Sequence, residues 1–159
     1  MAMRFPPGKP RAASTPLSTK ARGNIGENAA VAFLAARKFQ IIARNWRPGN
    51  ALRGEVDCVA WDTATQPGRV LCFIEIKTRK SNTKGAPQEA VNFAKQRQLS
   101  RLANAFVSYH KLPEVPCRFD VVEVWLDAAE TEKRHEVRCV LHRNAFDYCG
   151  DFQMRGRAR

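Results

Sequence analysis

Residues 54–79 read GEVDCVAWDTATQPGRVLCFIEIKTR, and two strands joined by a turn are the simplest reading of them. Gly54 opens a strand over Glu55 to Trp61, Gln66-Pro67-Gly68 supplies the turn, and Arg69 to Thr78 holds the densest apolar run in the chain. Side chains alternate along a strand. Val70, Cys72, Ile74 and Ile76 therefore share one face and must be buried, whereas Glu75 and Lys77 project from the other, about 6.6 Å apart along the strand. A charged pair in such a strand is costly unless it is paired, solvated or bound to an ion. A strand end emerging into water would leave the pair merely exposed.

The first strand of the hairpin decides between those outcomes. Glu55 and Asp57 share a face, and pairing of the two strands lets Asp57 approach Glu75. Two carboxylates so close repel unless a proton or a cation lies between them. Mg²⁺ suits that position, because it takes oxygen ligands and keeps waters for a substrate phosphate. Lys77 beside it can orient or deprotonate a water, or stabilise charge on a phosphate.

Outward from the hairpin, Asn24 can cap a helix running to about Arg37, and Phe39 to Arg47 reads as a strand ended by Pro48-Gly49-Asn50. Beyond it, Ser81 to Ala86 is a polar loop and Pro87 suits the first turn of a helix reaching about Tyr109. Cys117 to Leu126 and Glu136 to His142 are further strands. The order α-β-β-β-α-β-β predicts an α/β or α+β sandwich with helices against one sheet. Glu27 falls at helical spacing from Ala30, Val31 and Leu34, so its carboxylate lies on an apolar stripe, or else complements the helix dipole. Lys95 and Gln98 lie in line with Val91 and Leu102, where they reach a cleft or mark the edge of the stripe.

The 159 residues make one domain, with a formal net charge of +12 and a pI near 10.1. Such an excess favours polyanions. Arg4, Lys9, Arg11, Lys20 and Arg22 face no acid in residues 1–24. Residues 1–22 are expected to be a disordered basic arm, 23–150 the folded domain and 151–159 a basic tail. No apolar run is long enough for a bilayer, so no membrane partner is expected. The start lacks the apolar region of a secretory signal. Five cysteines with no Cys-x-x-Cys pair suit a reducing cytoplasm. Cys139 and His142 have half of a metal spacing without a second half, which argues against zinc.

Several of these segments together resemble the YraN-like family of bacterial proteins, which are regarded as endonucleases of restriction-endonuclease-like fold. The matching pieces are Gly23-x-x-Gly26-Glu27-x-x-Ala30, Asn45-Trp46-Arg47, Gly54-Glu55-Val56-Asp57 and Phe73-Ile74-Glu75-Ile76-Lys77-Thr78-Arg79. Gly85-x-Pro87-x-Glu89-Ala90-Val91-x-x-x-Lys95 and Arg118-Phe119-Asp120-Val121-Val122 complete the set, which covers roughly residues 23–125. The resemblance implies an α/β restriction-endonuclease-like sandwich, with a mixed central sheet flanked by helices, in the PD-(D/E)xK nuclease superfamily and near the Holliday-junction resolvases. It also implies Asp57 and Glu75 as metal ligands, Lys77 as the catalytic lysine and Glu27 as a helical acid of the site.

The function expected on these grounds is Mg²⁺- or Mn²⁺-dependent hydrolysis of phosphodiester bonds. The expected substrate is nucleic acid, DNA ahead of RNA and structured or branched in preference, cut by a homodimer such as resolvase-like relatives form. Arg79, Lys80, Lys95 and Gln98 are the candidate backbone contacts. The rivals are a catalytically silent nucleic-acid-binding module on the same fold and a protein-interaction adaptor with basic arms.

Overall fold

A computed structural model describes residues 18–49, 52–65, 68–80, 91–112, 114–126 and 137–150. In chain order the elements are α1 (Thr19–Ala35), β1 (Phe39–Trp46), β2 (Val56–Asp62), β3 (Val70–Lys80), α2 (Phe93–Tyr109), β4 (Cys117–Leu126) and β5 (Val137–Phe146). The strands form one mixed sheet in the order β1-β2-β3-β4-β5. All neighbours are antiparallel except β3 and β4, which run parallel and are joined through α2. A parallel pair needs such a crossover, because a tight turn can join only antiparallel neighbours. The α/β order and the mixed sheet agree with the sequence-based expectation.

Each face of the sheet carries one helix. Cys58, Ala60, Cys72, Ile74, Ile76, Val122 and Val124 pack under Ala30 and Leu34 of α1. Val59, Trp61, Leu71, Phe73, Phe119 and Val121 pack under Leu99, Leu102, Ala103 and Phe106 of α2. A central strand covered on both faces reads as a continuous apolar run, which is why residues 70–74 stand out in the sequence. Among the described residues, no helix is long and apolar enough to cross a membrane.

Three boundaries differ from expectation. Helix α1 begins at Thr19, and Ser18 rather than Asn24 caps it, its hydroxyl accepting from the Ala21 N–H at 3.2 Å. The last residues of the expected basic arm are therefore helical, while residues 1–17 and 151–159 lie outside the described residues. Gly23 and Gly26 weaken the helical signal there, yet Gly26 is required by packing. A Cβ built on it would lie 1.9 Å from Thr78 Oγ1, so α1 crosses β3 at a distance only glycine permits. Helix α2 is capped by Asn92, whose Oδ1 accepts from the Lys95 N–H at 2.9 Å, and so it starts after Pro87. The Ser81 to Ala86 loop and Pro87 lie outside the described residues. Strand β5 continues past His142 to Phe146, because the Asn144 N–H is held by Asp120 Oδ1 at 2.9 Å and Arg143 pairs with Asp62.

That last pairing belongs to a buried ionic knot at the far end of the sheet. Arg118 on β4 donates to both Asp120 oxygens (2.9 and 3.0 Å) and to Asp62 Oδ2 (2.6 Å). Asp62 also accepts from the Ala64 N–H and the Thr65 hydroxyl. Burial alone would raise the Asp62 carboxyl, but the hydrogen bonds from Arg118, Thr65 and Ala64 hold it below its ordinary value. Both aspartates are wholly buried, so each must be paired.

Candidate active site

The opposite end of the sheet carries a second cluster of charges, on the α2 face. Strand alternation that sends Ile74 and Ile76 to α1 sends Glu75 and Lys77 to α2. Glu75 is 3% exposed, so it is no strand end emerging into water. The Lys77 ammonium donates to Glu75 Oε1 at 2.6 Å. The Lys95 ammonium, reaching over from the first turn of α2, stands 3.2 Å from Oε2. That contact is an ion pair without hydrogen-bond geometry, and no donor among the described residues satisfies Oε2.

Asp57 enters from β2. Cys58 pairs with Ile74, and continuing the antiparallel register by one step sets Asp57 opposite Glu75. Asp57 Oδ2 accepts from the Ile76 N–H at 2.8 Å. Its carboxyl is pushed up to about 6, first by burial and next by the charge of Glu75. The Ile76 N–H, Lys95 and Lys77 oppose that rise without cancelling it. The two acids thus sense each other through the sheet, as expected of carboxylates on neighbouring strands.

The cluster offers a cation two carboxylates as donors. Among the described residues, no group of three or more His, Cys, Asp or Glu side chains could hold a metal ion. What remains is two carboxylates, one with an oxygen lacking a hydrogen bond. Such a pair fits a small hard cation that keeps most of its waters.

The other candidate residues divide. Lys95 joins the cluster directly. The Gln98 amide donates to the Arg53 carbonyl at 3.3 Å and packs over Gly54, whose φ of +113° and missing Cβ make room for it. Arg79 is committed to Glu123, its Nε donating to Oε1 at 2.8 Å, so it does not stand as a free phosphate clamp. Lys80 ends β3, and its side chain lies outside the described residues. Glu27 Oε2 accepts from the Asn45 amide at 3.1 Å. It lines a cleft with Arg22, Gly23, Ile76, Thr78 and Arg79, and among the described residues it has no hydrogen bond to the Asp57–Glu75–Lys77 cluster.

One residue the sequence analysis passed over extends the polar row. Glu123 stands beside Lys77 in the parallel register of β3 and β4 and is 2% exposed. It receives Arg79 on one oxygen and faces His142 Nε2 at 3.2 Å on the other. The available signal was the one that flagged Glu75, an acid interrupting an apolar strand.

Comparison with known proteins places these residues in context. The profile of a family described as uncharacterised protein family UPF0102 matches residues 26–124, which span Glu27, Asp57, Glu75, Lys77, Lys95 and Glu123. A UPF0102 protein of Symbiobacterium thermophilum is 45% identical over 124 residues, covering 78% of this chain and 94% of its own length. Another from Moorella thermoacetica is 43% identical over 114 residues, or 72% and 88% of the two chains. A third from Chlorobium phaeobacteroides is 44% identical over 102 residues, or 64% and 75%.

Proposed function

We propose that this chain, which belongs to the UPF0102 (YraN-like) family, is a metal-dependent nuclease that hydrolyses phosphodiester bonds in nucleic acid, with structured or branched DNA as its substrate. One observation carries the reading. Glu75 is a buried acid faced across the sheet by Asp57 and flanked by two lysines, one of which meets its Oε2 as an ion pair without a hydrogen bond. An adaptor surface would not bury an acid of this kind beside a second one.

Asp57 and Glu75 would hold the Mg²⁺ or Mn²⁺ ion. When bound, that cation supplies electrophilic stabilisation of charge on a phosphate. The protein's own groups do the rest. The Ile76 N–H fixes one Asp57 oxygen and leaves the other for a cation. Lys77 holds Glu75 in place and, once the carboxylate turns to a cation, has an ammonium free for a phosphate oxygen or the incoming water. The high Asp57 carboxyl means that proton and cation compete for the site, so occupancy rises with pH. The formal charge of +12 draws in the polyanion. Five cysteines without a disulfide suit a protein acting in the reducing cytoplasm.

Incubation with duplex, flap and junction DNA and with RNA, in Mg²⁺, Mn²⁺ or excess chelator, tests this reading. Metal-dependent strand scission that favours branched DNA is expected. Scission undiminished by chelator would contradict it. A silent nucleic-acid-binding module is the second reading, favoured by the two lysines that already neutralise Glu75. It would bind the same substrates without cutting them in any metal.

A further inference from the structure

Beside Lys95 runs an open groove between the first turns of α2 and the segment joining β1 to β2. One part of it, about 670 Å³, is lined by Leu52, Arg53, Ala94, Arg97, Gln98 and Arg101 in addition to Lys95. The adjoining part, about 470 Å³, shares Leu52, Arg53, Lys95 and Gln98 and adds Arg47 and Glu55. Its charge is one-sided. Glu55 is its one acid and is taken by Arg47, with Nε to Oε2 at 2.8 Å. Arg53, Arg97 and Arg101 are exposed, and no carboxylate pairs with them among the described residues. Helix α2 carries Lys95, Arg97 and Arg101 and no acidic residue. Unpaired cations held along one groove repel one another and lower the net stability of the fold, unless an anion is their partner.

An exposed aromatic ring stands on the same helix, next in sequence to the lining residue Ala94. Phe93, the first residue of α2, is 65% exposed, although the core beneath the helix has room for Phe106 and Leu99. Residues four apart on a helix are neighbours. Phe93, Arg97 and Arg101 therefore form one line along α2, and two of the three line the groove. A basic track with an exposed ring beside it is the arrangement that holds a strand by its phosphates while a base stacks.

We propose that this groove carries the backbone of a single, unpaired nucleic-acid strand, with Phe93 stacking on a base and Lys95 connecting the track to Glu75. The inference rests on the nuclease reading and deepens it, since it names the kind of strand delivered to that site. An acidic polypeptide would satisfy the arginines but would leave the Phe93 ring without a partner.

The test is equilibrium binding of fluorescent oligonucleotides to the full chain in chelator, with single-stranded and blunt duplex DNA of equal length across a salt series. Phe93→Ala should weaken single-strand binding about tenfold and leave duplex binding within twofold. The triple variant Arg53→Gln, Arg97→Gln, Arg101→Gln should flatten the single-strand salt dependence by about two in log–log slope. All these side chains are exposed, so melting temperatures should match the parent. Parental binding by the triple variant at every salt concentration would overturn the proposal. So would an equal effect of Phe93→Ala on both DNA forms, or displacement of the strand by polyglutamate as effectively as by unlabelled oligonucleotide. Because no metal is present, these results are independent of cleavage. A chain that binds as described yet never cuts would sink the nuclease reading alone, and a chain that cuts while the variants bind normally would sink the groove alone.

Discussion

The Lys95 ammonium lies 3.2 Å from Glu75 Oε2, so α2 delivers a positive charge to the carboxylate oxygen that no hydrogen bond satisfies. Residue 95 is thereby a member of the acidic cluster as well as of the groove wall. An ammonium at that distance competes with a divalent cation for the same oxygen.

Removing it should therefore strengthen metal binding. Lys95→Ala is expected to bind Mn²⁺ about tenfold more tightly than the parent at pH 8, measured by calorimetric titration. Lys77→Ala should also keep the metal site but lose strand scission. Weaker Mn²⁺ binding by Lys95→Ala would mean that this lysine holds Glu75 in position rather than competing for it.

The raised Asp57 carboxyl gives the metal-free protein a defined pH response. Its folded value of about 6 lies above its ordinary 3.8, so the ionised form is disfavoured by folding. The resulting penalty is absent below pH 4 and complete above pH 6 to 7. Asp57→Asn, which cannot ionise, should melt a few degrees above the parent at pH 8 in chelator and converge with it near pH 4. For a chain of this size each kcal/mol is worth about 2–4 °C. Adding Mn²⁺ should stabilise the parent and leave the variant unmoved. Parallel melting curves across that pH range would show that Asp57 is not perturbed.

At the far end of the sheet, Arg118→Ala would strand Asp62 and Asp120, both wholly buried, without an ion partner on β4. The expected loss is about 3–5 kcal/mol in urea unfolding at neutral pH. Arg143 still reaches Asp62, so the loss should fall short of complete unfolding. A change under 1 kcal/mol would mean that water replaces the guanidinium.

Much of this was legible in the sequence, for identifiable reasons. The β2–β3 hairpin announced itself because both faces of β3 are covered, and the same alternation singled out Glu75 and Lys77. Register then brought Asp57 opposite Glu75 without further information. Lys95 was placed on the correct helical stripe, but whether it met substrate or acid depended on how α2 lies across the sheet, a long-range property that spacing along one helix does not contain. The Asp62–Arg118–Asp120 knot was invisible for the same reason, since its members lie on strands separated by a whole helix. Glu27 was placed on the apolar stripe of α1, which packs on the other face of the sheet. An acid on an apolar stripe there meets Asn45. The start of α1 was hidden by Gly23 and Gly26.

Close approach at Gly26 is itself testable. Gly26→Ala should cost about 1–3 kcal/mol, because the new methyl would overlap Thr78. Thr78→Ala should lower that cost when the two changes are combined. Equal costs in both backgrounds, by chemical denaturation, would show that the contact is elsewhere.

The most direct measurement is the rate of strand scission by the parent and by Glu75→Gln on one flap-bearing DNA, in Mg²⁺, Mn²⁺ and Ca²⁺. Glutamine keeps the shape of the buried side chain, so the variant should fold and bind DNA like the parent. The account predicts cutting by the parent in Mg²⁺ and Mn²⁺, little turnover in the looser coordination of Ca²⁺, and a loss of at least about a hundredfold in Glu75→Gln. Equal scission by a well-folded Glu75→Gln protein would contradict it.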